Sequence, residues 1–439
     1  MQPQTRNHMN ILDNPSQDTW KKQLARPTFK TKQINKIVKP ILRKVKRNGD
    51  KALFKFAMEY DHVELESLFP SEVEIQAASA ALSPALKEAI DVAKANIERF
   101  HMAQATPELV DEVMPGVVCR RKSVPIQKVG LYIPGGTAPL FSTVLMLGIP
   151  AVLAGCKEIV LCSPPNKEGK IHPAILYTAA LIGITKIVKV GGAQAIAAMT
   201  FGTESVPRVD KIFGPGNQFV TAAKQTATKY GIAIDMPAGP SEVLVYADDS
   251  ANPAFVAADL LSQAEHGVDS QVILVTDTEK FAKRVIKEID AQLEELPRKD
   301  IAKKALANSR AVIMDSTEKA LELINFYAPE HLIISVVEEE EAVAAIYNAG
   351  SVFIGNYTPE SAGDYASGTN HTLPTYGYAR NYSGVSLDSF VKKITYQKIT
   401  PEGLKNIGPT IEIMAENELL EAHKNAVTIR LKQLKKQKK

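Results

Sequence analysis

Between Lys128 and Asp235, short apolar runs alternate with amphipathic stretches: Val129–Ile133, Glu158–Cys162, Ile187–Val190, Lys211–Phe213 and Ile232–Asp235. Strands covered on both faces lose the in–out alternation of a half-exposed sheet, and an intervening helix lets successive strands run parallel. The pattern therefore predicts a parallel sheet with helices on both sides. It returns in Glu242–Tyr246, Ser270–Val275, Ala311–Met314, Leu332–Val336 and Ser351–Ile354, separated by helical stretches such as Pro253–His266 and Thr317–Tyr327. The expected fold class is α/β: two doubly wound parallel-sheet domains in tandem, at 128–240 and 241–380, without a sequence repeat between them.

The flanks read differently. Residues 1–27 form a polar N-terminal arm. Residues 28–127 read as a helical region that packs on the second α/β unit, with start signals at Ser71-x-x-Glu74 and Ser83-Pro84. After Gly355 periodicity fails in a loop from Tyr357 to Tyr382, long enough without structure of its own to suggest function. Residues 381–439 are expected to be a C-terminal helical arm, because they follow a completed sheet and have no third sheet to join.

Composition excludes several classes. At 439 residues, 45% hydrophobic, the chain can bury large cores without staples. Its three cysteines, Cys119, Cys156 and Cys162, fit no zinc ribbon or secreted disulfide framework, so a metal would be held by nitrogen and oxygen. Buried small hydrophobes are the expected role of these thiols, rather than a nucleophile attacking an aldehyde. The net charge of +3 comes from the last ten residues, which carry six basic and no acidic side chains. A second basic stretch, Lys21–Lys51, has apolar residues at helical spacing and reads as a solvated helix face; no nucleic-acid partner is expected. The polar opening from Met1 to Trp20 has no targeting pattern, and the longest apolar stretch, Ala138–Gly155, is too broken to span a bilayer. A cytoplasmic protein without membrane contact is expected.

Five segments carry candidate chemistry. Three strand-to-helix turns, Tyr132–Gly136, Gly191–Gln194 and Gly214–Asn217, would line one crevice at the carboxyl ends of a parallel sheet, where glycine admits a ligand's close approach. None is the full dinucleotide fingerprint, and no acidic ribose partner follows the first. Gln263 and His266, three apart at a helix end, could share a metal. Glu330 and His331 sit at an element boundary and could move protons. The long loop offers Asp364 and His371, and the C-terminal helix offers Glu418 and His423, five apart and so on adjoining faces. Taken singly, the turns are equally compatible with glycines that only make tight turns, Gln263 and His266 read first as a polar helix end, and Glu330 and His331 are compatible with a surface loop pair.

Together they resemble one family. Val129–Gly136, Val190–Ala195, Ile212–Asn217, Asp235–Glu242, Leu261–Gly267, Pro329–Leu332, Glu360–His371 and Ala422–Ala426 are similar, in this order, to the motifs of the histidinol dehydrogenases. The resemblance implies incomplete Rossmann-like domains in a domain-swapped homodimer, and NAD-dependent four-electron oxidation of L-histidinol through L-histidinal to L-histidine. It implies one zinc ion per subunit, replaceable by manganese, on Gln263, His266, Asp364 and His423. It also implies His331 as general base and acid and Glu330 as the residue that activates water. Ser241, Gln263, His266, His331, Asp364, Glu418 and His423 would contact substrate, with His371 near its imidazole, and Tyr132, Gln194 and Asn217 would contact NAD. A swapped arm would carry Glu418 and His423 into the partner's site. The alternatives are a single-step zinc- and NAD-dependent amino-alcohol dehydrogenase and a non-catalytic protein that binds metal and nucleotide.

Overall fold

The structure, a computed structural model, describes residues 9–27, 31–135 and 139–437. In chain order its strands are β1 (Asn10–Asp13), β2 (Leu109–Met114), β3 (Val117–Pro125), β4 (Lys128–Tyr132), β5 (Glu158–Ser163), β6 (Lys186–Lys189) and β7 (Lys211–Phe213). They continue with β8 (Ala233–Ile234), β9 (Glu242–Ala247), β10 (Gln271–Thr276), β11 (Arg310–Ile313), β12 (His331–Ser335), β13 (Ser351–Ile354) and β14 (Val391–Ile399). The chain divides into two compact units, Met1–Gln104 with Ile126–Phe390, and Ala105–Pro125 with Val391–Lys439.

Both sheets of the larger unit are parallel throughout. The first has the order β6-β5-β4-β7-β8 and the second β1-β11-β10-β9-β12-β13. Alternate residues feed different cores: Val160 and Cys162 of β5 join one cluster and Leu161 the other. Val243 and Val245 of β9 likewise part from Leu244 and Tyr246. Each sheet is thus covered on both faces, as its continuous apolar runs require. In the first sheet β5 and β6 build out from one side of β4, and the chain then returns to lay β7 and β8 on the other. Connections that leave β4 in opposite directions open a crevice over the strands' carboxyl ends.

The flanks depart from expectation. The helical segments between Thr31 and Met102 pack on the first α/β layer, not on the second unit. Ile34, Val38, Ile41, Leu42 and Val45 share a core with Ala195, Ile196 and Val220, while Ile90 and Ile97 share one with Leu145 and Ile149. The reason lies in helix Gly192–Phe201, which is buried from Ala193 to Thr200. A helix apolar all round must be covered on its outer side as well. The expected capping box forms, with Ser71 Oγ accepting from Glu74 N at 3.2 Å and Glu74 Oε2 from Ser71 N at 2.7 Å. The N-terminal segment is no free arm: β1 pairs with β11, and Trp20 and Leu24 lie in the second sheet's core.

The smaller unit holds the third sheet that the sequence reading did not expect, antiparallel in the order β14-β3-β2. Residues 109–125, assigned to the helical region, are its hairpin, turned at Pro115-Gly116 with Gly116 at φ +79°. Two helices follow β14, Pro401–Asn417 and Glu421–Lys436, and the break between them places Leu419 at φ +59°. Glu418 and His423 therefore do not share a helix. The long loop is also partly ordered into a short helix, Glu360–Tyr365, and a single turn, Tyr378–Arg380. Among the described residues, no helix is long and apolar enough to cross a membrane.

Candidate active site

Six polar side chains converge where the second sheet begins. Glu330 and His331, at the start of β12, are both buried. Gln263 is buried on the last turn of helix Pro253–Ala264, and His266 lies just beyond that helix rather than on it. Glu360 and Asp364 sit four apart on their short helix, so both carboxylates face one side. The ligand atoms of His266, Glu360 and Asp364 lie within 4.8 Å of one another.

The hydrogen bonds give each group one free face. Gln263 Nε2 donates to Glu360 Oε1 at 2.5 Å, which leaves Gln263 Oε1 buried without a hydrogen-bond partner among the described residues. An amide whose nitrogen is tied and whose oxygen is orphaned is oriented as a metal ligand must be. Glu360 Oε2 is orphaned too. These oxygens, with His266 and Asp364, form a nitrogen and oxygen donor set that suits zinc or manganese.

His331 Nδ1 stands 3.2 Å from the Glu242 carbonyl oxygen and 3.0 Å from Gln263 Nε2. The carbonyl can only accept from Nδ1 and the amide nitrogen can only donate to it, whereas Nε2 is buried without a hydrogen bond, 3.6 Å from Asp364 Oδ1. Burial alone would lower the pKa of this imidazole, but Glu360, Glu330 and Asp364 outweigh it and raise it to about 10, a rise that a cation held by these carboxylates would oppose. Burial also pushes Glu330 up to about 8, although Glu242 N donates to its Oε2 at 2.9 Å.

Glu242 thus holds both residues through its backbone, and its own carboxylate is held in turn. Arg26 pairs with it through two nitrogens and donates to the Tyr327 carbonyl at 2.7 Å. Neither Arg26 nor Glu360 stands out in the sequence reading. Glu360 had a readable signal in its four-residue offset from Asp364; Arg26 had none, because its partner lies 216 residues away.

Two cavities open from the crevice, with Tyr132, Gly135 and Asn217 lining both. The first, about 560 Å³, is lined by Ser241, His266, Glu330 and His371. His371 Nε2 lies 3.1 Å from Thr143 Oγ1 and Nδ1 2.8 Å from the Asp364 carbonyl oxygen, and burial lowers its pKa. The second, about 550 Å³, is lined by Tyr132, Gly192, Gln194 and Asn217 at the carboxyl ends of the first sheet. Gly192 N donates to the Tyr132 hydroxyl at 3.1 Å, and Asn217 Oδ1 accepts from Phe219 N and Val220 N, capping helix Gln218–Ala227. A Cβ on Gly214, at φ +128°, would stand 2.1 Å from the Tyr132 carbonyl oxygen, so this turn admits only glycine. Gly136 of the first turn lies outside the described residues. The smaller unit carries Glu418 and His423, both exposed. Burial pushes the thiols of Cys156 and Cys162 up to about 12, far from nucleophilic at neutral pH.

Comparison with known proteins identifies the family. The family model described as histidinol dehydrogenase matches residues 24–431. The chain belongs to the histidinol dehydrogenase family. It is 59% identical to the histidinol dehydrogenase of Bacteroides thetaiotaomicron, covering 97% of this chain and 100% of that one. To the Pasteurella multocida enzyme it is 55% identical, covering 94% and 95%. The crystal structure of histidinol dehydrogenase from Elizabethkingia anophelis superposes with a TM-score of 0.96 at 57% identity, covering 98% of this chain and 99% of that one. As a member of this family the chain is an oxidoreductase of histidine biosynthesis that acts on a small molecule.

Proposed function

We propose that the enzyme acts in the cytoplasm and oxidises L-histidinol to L-histidine in two successive NAD-dependent steps, through L-histidinal, with a zinc ion in the site. The observation that carries this reading is the pair of orphaned buried atoms, Gln263 Oε1 and His331 Nε2: one is prepared for a cation, the other for a proton. The glycine turns at Gly135, Gly191 and Gly214, where a Cβ would collide with Pro164 or the Tyr132 backbone, suit a dinucleotide that approaches the main chain. When bound, NAD supplies the hydride-accepting ring, and zinc on Gln263, His266, Asp364 and His423, replaceable by manganese, supplies a positive charge that orients the substrate's amine and imidazole.

The protein's part is proton transfer and positioning. His331 Nε2 takes the hydroxyl proton as the carbon gives up its hydride, which leaves the aldehyde. Glu330, steadied by Glu242 N, takes a proton from the water that adds to this aldehyde, while His331 returns its proton to the carbonyl oxygen, which gives the diol. His331 then takes a proton from the resulting diol during the second hydride loss, and the acid is complete. Ser241 and Glu418 hold the substrate, with His371 near its imidazole, and Tyr132, Gln194 and Asn217 hold the coenzyme.

The same reading makes the enzyme a domain-swapped homodimer. The smaller unit leaves Leu109, Val110, Ile413, Met414, Leu419 and Leu420 exposed, more apolar surface than so small a unit carries unless it is covered by another chain. A second copy would cover it and bring Glu418 and His423 with it. The deciding experiment counts NADH formed per L-histidinol consumed by the purified protein. Two supports the reading, one indicates a single-step amino-alcohol dehydrogenase, and none indicates a binding protein.

A further inference from the structure

In a doubly wound dinucleotide site an acidic residue about 20 positions past the glycine turn accepts hydrogen bonds from the adenosine ribose. Here that residue is missing. The acid at about that distance from Gly135 is Glu158, which begins β5 at the end of the sheet away from the cavity and pairs with Lys186 and Lys128. At the cavity end β5 closes with Ser163, followed by Pro164 and Pro165, which offer no charge.

A carboxylate reaches the cavity from elsewhere. Helix Asp50–Phe56 runs into a single π-turn, Ala57–Asp61, and His62 follows at φ +58°. A π-turn and a left-handed non-glycine residue are both costly and frequently mark functional positions. Together they bring Tyr60 and Asp61 to the wall of the second cavity, with the Tyr60 ring stacked on Phe56 at 5.4 Å. Asp61 is half-buried, and among the described residues that line this cavity it is the one carboxylate. Among the described residues its carboxylate accepts no hydrogen bond, and the neighbouring charge acting on it is that of His62. It lies near enough to Tyr132 for its charge to add to the rise that burial imposes on that phenol.

We propose that Asp61 replaces the missing strand-end acid: its carboxylate accepts hydrogen bonds from the adenosine ribose of the coenzyme and rejects a coenzyme with a 2′-phosphate. The proposal rests on the NAD reading above. Lys167 and His172 line the same cavity, so the cavity as a whole does not repel a phosphate, and the single carboxylate is the discriminating group.

The test measures the Kd for NAD and for NADP by isothermal titration calorimetry without substrate, and kcat and KM with each coenzyme at saturating L-histidinol, for the wild-type enzyme, Asp61→Ala and Asp61→Asn. Losing hydrogen bonds to a charged acceptor is worth about ten- to a hundredfold, so Asp61→Ala is expected to lose that much kcat/KM for NAD, the loss falling in KM. Asp61→Asn keeps the shape and removes the charge, and is expected to narrow the preference for NAD over NADP by about tenfold or more. If both variants keep the wild-type KM for NAD and the wild-type preference, or if the wild-type enzyme prefers NADP, the assignment is overturned while the NAD reading of the turns can stand or fall separately. A wild-type protein that reduces neither coenzyme overturns that reading and this assignment with it.

Discussion

At the scale of single residues, the site divides into groups that do chemistry and groups that hold them. The Glu330–His331 pair is legible as adjacent proton-transfer groups at an element boundary, but the burial of His331 Nε2 without a hydrogen bond, 3.6 Å from Asp364, is supplied only by folding. His331→Asn is expected to lower kcat by at least two orders of magnitude, the value of a positioned general base, while metal content by elemental analysis stays at the wild-type level. An unchanged kcat would refute the role. Arg26 holds Glu242 from behind, and removing one partner of a buried pair leaves an uncompensated charge. Arg26→Ala should therefore cost about 3–5 kcal/mol of stability in urea unfolding. A loss below 1 kcal/mol would mean that water reaches Glu242 and replaces the guanidinium. Cys156→Ser should keep most of the activity, and a folded but inactive variant would restore a thiol mechanism.

Elements were read well where a single periodicity governs them and poorly where two compete. β9, β10 and β12 are buried along their whole length, and their unbroken Val, Ile and Leu runs announce this. Helix Thr317–Tyr327 has the bounds its pattern predicts. β3 and β14 escape the pattern because clustered basic residues break their apolar alternation: Arg120, Arg121 and Lys122 in one, Lys392 and Lys393 in the other. Such strands resemble a solvated helix face until pairing satisfies their backbones. The glycine turns, by contrast, carry a reason readable residue by residue. Gly214→Ala should raise KM for NAD roughly tenfold or more, because the left-handed backbone and the approach to the Tyr132 carbonyl both exclude a methyl group. A wild-type KM would show that this turn is not at the coenzyme.

For the whole molecule, the expected assignment of residues 28–127 to the second unit failed for a physical reason. An amphipathic helix records that one face is buried but not which sheet buries it. The smaller unit, built from two distant stretches of chain, was invisible to any reading that moves along the sequence in order. Removing 401–439 is expected to abolish activity and dimerisation together, as judged by light scattering and turnover, and an active monomer would refute the exchanged arm.

By itself the sequence determined the two parallel α/β layers, the turns that open between them and the family, because these follow from local periodicity, from backbone positions only glycine can take and from motifs in fixed order. Tertiary structure alone decided that Glu360 ties the Gln263 amide, that the Glu242 backbone meets both Glu330 and His331, that Arg26 holds Glu242 and that Asp61 reaches the second cavity. Each of these depends on residues far apart in the chain coming together, and no local pattern encodes the partner.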